Sequence, residues 1–301
     1  MLARDGFQSL DDFIPTDKKI ELIDQLSMTG VDEIEFTSYT HPKAVPNLRD
    51  AEEVAERIER QPDVCYRALV PNAIGMERAM NAGVDKVNAL IAVSETYSKK
   101  NQNATREESI KQIRRIVEMA DGTDVEVEAG MATSFYCPYE GRIPTDQTLT
   151  VVGEMVDAGV DEVTLATTMG LADPKQISES LSAVCDRWPE LDCGLHLHDT
   201  NGMSLANTLV AMDHGINRFD TSICGVGGGV VLPDALEGVG NTPTEDLLHM
   251  LSRMGISSEG LFESVSEMAM GVAEELDVGQ NSHVVRGGTA ENVLDVMGMN
   301  Y

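Results

Sequence analysis

His196, Leu197, His198 and Asp199 stand in a row about two thirds of the way along the chain. Residues i and i+2 of a strand share one face, so a strand here projects both imidazoles to the same side. Two imidazoles joined by a carboxylate and an amide oxygen make a mixed nitrogen and oxygen donor set suited to Mg2+, Mn2+ or Zn2+. Asp5 and Asn241 supply the other two donors if the fold brings them to the same end. Two histidines hydrogen-bonded in a core are the plainer alternative, and the H-x-H spacing alone does not exclude it.

Arg4 precedes Asp5 directly. Guanidinium keeps its charge at every relevant pH, so an arginine beside a metal ligand can stabilise a developing oxyanion. A salt bridge to Glu35 is the competing role, and the two are compatible if Glu35 orients Arg4. The stretch GVGGGVVLPDALEGVGN (225–241) is rich in glycine, which permits close backbone approach and the motion of a lid. It is no dinucleotide fingerprint, because the acidic residue expected about 20 positions on does not fall in a βαβ unit. Thr242-Pro243-Thr244-Glu245 has capping-box spacing, which places Asn241 just ahead of a helix N-terminus. Cys65, Cys137, Cys185, Cys193 and Cys224 are scattered without a C-x-x-C pair, so reduced and mostly buried thiols are expected. Cys224 could serve as a thiol acid or base, although a small core residue is the simpler reading.

Residues this far apart need a scaffold that returns to one mouth again and again. Four segments read helix, glycine, short apolar strand: 29–36, 82–90, 158–166 and 214–223. Glycine suits the left-handed residue closing a helix, and the apolar run after it suits a buried parallel strand. Further strands are expected near 64–70, 124–132 and 192–198. Helices are expected near 16–29, 50–61, 74–82, 105–120, 146–158, 174–187, 203–214 and 243–254. Such alternation predicts an α/β fold, a (β/α)8 TIM barrel spanning 1–256, with residues 257–301 forming a C-terminal extension of two helices packed on it. Only Met1, Leu2 and Ala3 stand where the first strand belongs, so that strand is expected to be cut short, with the natural protein extending upstream. Polar residues gather at the strand ends, where such barrels keep their active sites: Arg4, Asp5, Glu35, Thr37, Ser38, Asn72, Glu95, Thr133, Thr167, Thr168, His196 and His198.

At these residues the chain resembles the DRE-type metallolyase superfamily, and within it the hydroxymethylglutaryl-CoA lyases. The matching stretches are RDGFQ (4–8), IEFTSYTHPKAVPNLRD (34–50), YSKKN (97–101), CPYEG (137–141), HLHDTNGMSLANTL (196–209) and GNTPTEDLLHML (240–251). The resemblance implies a Mg2+ or Mn2+ centre and a carbon–carbon lyase that cleaves a 3-hydroxyacyl-CoA through an enolate. It puts Asp5, His196, His198 and Asn241 on ligand positions, Arg4 at the enolate oxygen, and Glu35 beside Arg4. His196 doubles as a proton carrier, and Gln8, Thr167, Gly227, Gly228 and Gly229 line the substrate. Two departures stand out. Gly229 occupies the place of the family's loop cysteine in a loop about three residues longer, and Thr167 occupies that of an aspartate. An aldolase or Claisen-condensing relative acting on a 2-oxo acid, or a catalytically impaired metal-binding paralogue, are the alternatives.

The 301 residues carry 51 acidic against 22 basic side chains, a net charge of −29. That excludes the basic footprint of a nucleic-acid or anionic-membrane partner. No run approaches the roughly 20 apolar residues of a membrane span, and the first residues carry no signal pattern. A cytoplasmic homodimer is expected. The acidic residues are dispersed over helix faces, as in NLRDAEEVAERIER (47–60), which suits a halophile's surface, where high salt screens self-repulsion. The melting temperature should therefore climb steeply between low and molar KCl in differential scanning calorimetry. A flat response would mark an ordinary acidic protein.

Overall fold

The computed structural model describes residues 1–228, 240–257 and 259–299. Gly229, with the reading of it as the family cysteine's replacement, lies outside them, as do the rest of 229–239.

Among the described residues seven parallel strands form one curled sheet in which each pairs with its neighbours in chain order. They are β1 (Glu33–Ser38), β2 (Cys65–Val70), β3 (Lys86–Ala92) and β4 (Glu126–Ala132), then, after the small hairpin of β5 (Tyr136–Cys137) and β6 (Gly141–Arg142), β7 (Glu162–Ala166), β8 (Asp192–His196) and β9 (Arg218–Asp220). The eight expected helices form within a few residues of their expected bounds, from Thr16–Ser27 through to Thr244–Arg253. This is the (β/α)8 class, with one strand of the eight not formed among the described residues. Leu2–Gly6 makes a helical turn instead of a strand. Met1 and Leu2 line a cavity of about 290 Å3 together with Glu33 and Glu35 of β1 and Phe219 and Asp220 of β9, the two edge strands.

Local chemistry explains the rhythm. Gly30, Gly83, Gly159 and Gly215 follow their helices with φ between 67° and 96°, the conformation that lets the chain reverse into the next strand. At the other ends Asn72 Oδ1 accepts from Ile74 N and Gly75 N, Thr105 and Glu108 form a capping box, and Asp173 caps a helix that begins with Pro174. Two expectations fail. The capping box at Thr242–Glu245 is not made, because both side chains serve the barrel mouth: Thr242 Oγ1 donates to Leu197 O, and Glu245 accepts from Cys224 N. Among the described residues the C-terminal extension holds three helices, Glu259–Glu275, His283–Gly287 and Ala290–Val296, rather than two. Ser282 and Thr289 each cap a new start. Asp246 ties the extension down by accepting from Ser282 Oγ at 2.6 Å and from Val284 N at 2.9 Å.

The space enclosed by the sheet is aliphatic only in part. Glu33 and Glu35, Arg67, Lys86 and Asn88, Glu128, Thr164, and Arg218 and Asp220 line it or bond across it. Arg67 is its hub, with Nη1 2.7 Å from Glu33 and 2.8 Å from Glu128, and Nη2 2.7 Å from Asp220. Burial pushes the Glu128 carboxyl up to about 7 despite Arg67.

Higher up, Asn88 Nδ2 donates to Glu35 Oε1 at 3.1 Å. Gly130 on β4 makes room for it, since a Cβ there would overlap Asn88 Oδ1. Gly130→Ala should lose about 1–3 kcal/mol from this overpacking. In an Asn88→Ala background the added cost should nearly vanish. Chemical denaturation of the four proteins checks this; equal costs in both backgrounds would place the strain elsewhere.

Candidate active site

Asp5 ends up buried at the barrel mouth, and its carboxylate is surrounded by donors. Arg4 Nη1 donates to Oδ1 at 2.8 Å, while Asn241 Nδ2 and Gly228 N donate to Oδ2 at 2.7 and 3.1 Å. Burial alone would raise the Asp5 pKa, but the Arg4 guanidinium and the two imidazoles outweigh it and hold the carboxyl at about 2. Arg4 is fixed from its other side by Glu35, whose Oε2 accepts from Nε at 2.7 Å. The salt bridge to Glu35, one of the two roles open in the sequence, is thus formed, and Arg4 also pairs with Asp5.

Strand β8 ends at His196, and His198 follows in an isolated bridge to Asn241. The i, i+2 geometry holds across this junction: the two Nε2 atoms face each other at 2.9 Å, with the rings edge to face. His196 Nδ1 lies 3.2 Å from Asp220 Oδ2, and the backbone N–H of His198 donates to Thr167 Oγ1 at 2.9 Å. Thr167 therefore braces a histidine by its backbone. Asn241 is set by a strip of chain sewn between two others. Asp199 N bonds Gly240 O, Asn241 N bonds Gly225 O, and Thr242 N bonds Leu197 O. Close contact here demands glycine at 227, where φ is +126° and a Cβ would overlap Asn241 Nδ2.

The residues fit a hard or borderline divalent cation. Asp5, His196 and His198 each offer a ligand atom, all within 4.8 Å of one another. Among the described residues, the Asn241 Oδ1 atom is buried without a hydrogen-bond partner, an acceptor that a protein interior seldom leaves unmet. Two imidazole nitrogens, one carboxylate and one amide oxygen match the donor set that Mg2+, Mn2+ or Zn2+ accepts.

A model of the HMGL-like family matches residues 2–272. The chain belongs to the HMGL-like family. It is 38% identical over 273 residues to the hydroxymethylglutaryl-CoA lyase of Bacillus subtilis, covering 91% of this chain and 90% of that protein. With the mitochondrial hydroxymethylglutaryl-CoA lyase of Mus musculus it shares 35% over 283 residues, 94% of this chain and 86% of the other. An HMG-CoA lyase from Acenitobacter baumannii, solved in complex with coenzyme A and 3-methylmalate, superposes with a TM-score of 0.90 at 35% identity, over 96% of this chain and 93% of that one. Membership makes this HMGL-like chain a carbon–carbon lyase with the barrel of its relatives.

Other predicted positions fare differently. Gln8 is half-buried just past the Leu2–Gly6 turn. Gly227 and Gly228 lie against Asp5, with Gly228 giving it a backbone donor. Asn72 is spent on its helix cap, and Glu95 sits half exposed, accepting from Arg106 N and pairing with Lys99, so neither joins the cluster. Cys224 is fully buried, with its thiol donating to Ala269 O at 3.2 Å and pushed up to about 12 by burial and by Glu245. Cys137 is equally enclosed. Sequence reasoning missed Asp220 and Asn88, which hold His196 and Glu35. Their signal was present as polar residues on the inward parity of β9 and β3. Removing one of four converging ligands weakens a metal site steeply. His198→Ala should lower Mn2+ affinity at least tenfold by calorimetry and abolish turnover; unchanged affinity would sink the assignment.

Proposed function

We propose that this HMGL-like chain cleaves a 3-hydroxyacyl-CoA between the carbinol carbon and the carbon next to the thioester. The observation that carries the reading is the buried convergence of Asp5, His196, His198 and the unmet Asn241 Oδ1 beside an Arg4 fixed by Glu35. Asp5, His196, His198 and Asn241 would hold Mg2+ or Mn2+, which when bound supplies Lewis acidity toward the substrate's hydroxyl and carbonyl oxygens.

The chain's own residues then account for the rest. As the hydroxyl proton leaves, the carbon–carbon bond breaks and its electron pair moves into the thioester as an enolate. That leaves a ketone, and protonation of the enolate carbon completes an acyl-CoA. Arg4 spends Nε on Glu35 and Nη1 on Asp5, and its remaining N–H groups serve the enolate oxygen. His196 would take the hydroxyl proton on Nε2, since Nδ1 faces Asp220, and return it to the enolate carbon, with Asp5, His198 and Asn241 left to hold the metal. Thr167 cannot replace the family's aspartate as an acid or base, since its hydroxyl is neutral and braces His198. Gln8, Gly227 and Gly228 border the substrate, with Gly229 assigned there by sequence alone. Thr167 and Gly229, lacking the acid groups of the family pattern, favour an acyl group bulkier than hydroxymethylglutaryl.

The division at residue 256 stands as our reading of the domains, supported by the last barrel helix ending at Arg253. Val293, Val296, Met297 and Met299 are exposed near the C-terminus and suit a homodimer. Dispersed acidity supports a high-salt cytoplasm, and no helix among the described residues is long and apolar enough to cross a membrane.

Arg4→Lys keeps the charge and loses the planar fork, so kcat should fall on the order of 100-fold while Mn2+ still binds. An unchanged kcat would remove Arg4 from the enolate. The reading as a whole is tested by turnover of hydroxymethylglutaryl-CoA and bulkier 3-hydroxyacyl-CoA thioesters with Mn2+, before and after iodoacetamide. Cleavage that survives alkylation and persists in Cys224→Ser is expected. Failure to cleave any of these thioesters, or full loss of activity on alkylation and in Cys224→Ser, would contradict it.

A further inference from the structure

Beneath the ligand cluster, the floor of the barrel reaches His196 through one carboxylate. Asp220 ends β9 in register with His196 on β8. Its Oδ2 lies 3.2 Å from His196 Nδ1, and its Oδ1 accepts from Arg67 Nη2 at 2.7 Å. Arg67 cannot swing away, since its Nη1 is held by Glu33 and Glu128. Each oxygen of Asp220 thus meets a different donor, one from a guanidinium and one from an imidazole.

We propose that Asp220 is a positioning residue: it fixes His196 as the Nδ1–H tautomer and so delivers the Nε2 lone pair to the cluster formed with His198 and Asp5. An ionised carboxylate has only acceptors, so the hydrogen bond to His196 exists only if Nδ1 carries the proton. In the neutral ring Nε2 is then left with its lone pair, on the side where His198 Nε2 stands 2.9 Å away. An amide in place of the carboxylate could not do this. Asparagine offers one acceptor oxygen where Arg67 and His196 together require two, and its NH2 group would oppose one of the two donors. The geometry also gives Arg67 its part, since by holding Oδ1 it leaves Oδ2 turned to the imidazole. Carboxylates behind metal-ligating histidines generally orient the ring and raise its basicity.

This inference rests on the reading of Asp5, His196, His198 and Asn241 as a metal centre, and the test separates the two. The first measurement needs no variant. Nitrogen NMR of the metal-free wild-type chain, labelled on histidine and assigned by loss of signals in His196→Ala, should show His196 as the Nδ1–H tautomer. The second is the Mn2+ dissociation constant of metal-stripped proteins by calorimetry. Asp220→Asn should bind 10- to 100-fold more weakly, at the scale of lost outer-shell partners, and Asp220→Glu should recover part of the loss. Glu128→Gln removes charge from the same buried network without touching His196, and should stay within twofold of wild type. An Nε2–H tautomer in the wild type overturns the proposal. So does an Asp220→Asn protein that binds Mn2+ as tightly as wild type, or equal weakening by Asp220→Asn and Glu128→Gln. Failure of the wild type itself to bind Mn2+ would overturn the metal reading, and the proposal with it.

Discussion

A carboxylate taken out of water at the mouth of a barrel must be met by donors from whatever chain surrounds it, and Asp5 is met from three directions. Arg4, Asn241 and the backbone of Gly228 each give it a hydrogen bond. Each donor in turn is fixed by something larger. Arg4 leans on Glu35 in β1, Glu35 on Asn88 in β3, and Asn88 on the space that Gly130 leaves in β4. Asn241 depends on the strip 240–244, which is bonded on one side to 197–199 and on the other to 222–225. Unpaired, such a carboxylate would take up a proton and lose its value as a ligand. Paired in this way it stays ionised and stationary, and four separated parts of the chain are brought into one arrangement around it.

Below it runs a second polar layer, in which Arg67 joins Glu33, Glu128 and Asp220. Buried ion networks are weak contributors to net stability, because desolvation offsets much of the attraction. Removing one member is nonetheless costly, since it strands the others. Such a layer is therefore better understood as an orienting device than as a source of stability, and its upper end is the Asp220 carboxylate against His196. The family relationship supplies the chemistry these parts serve, while the local bonds show how this chain arranges them.

Much of this was legible in the residues themselves. The glycine between helix and strand in four of the units is a local conformational demand, and apolar runs mark the other three strands, so the seven strands and eight barrel helices could be placed within a few residues. H-x-H was readable because a strand's two-residue period is enough to align its imidazoles. The capping box at Thr242 was misread for a tertiary reason: Leu197 O and Cys224 N, distant in sequence, compete for the same side chains. Asn72 and Glu95 likewise look catalytic by position, but a helix cap and a surface pair claim them. The inner ionic layer was missed although its code is simple. Alternate residues of β1, β3 and β9 are polar on the inward face, a parity that the reading of the strands as buried apolar runs overlooked.

Every role given to the barrel mouth depends on Asp5, His196, His198 and Asn241 surrounding a metal. A crystal grown with Mn2+ and measured at the manganese edge tests this directly. An anomalous peak is expected, bounded by the Asp5 carboxylate, the two facing Nε2 atoms and Asn241 Oδ1. No peak there, or a peak only among the acidic groups around Arg67, would contradict it.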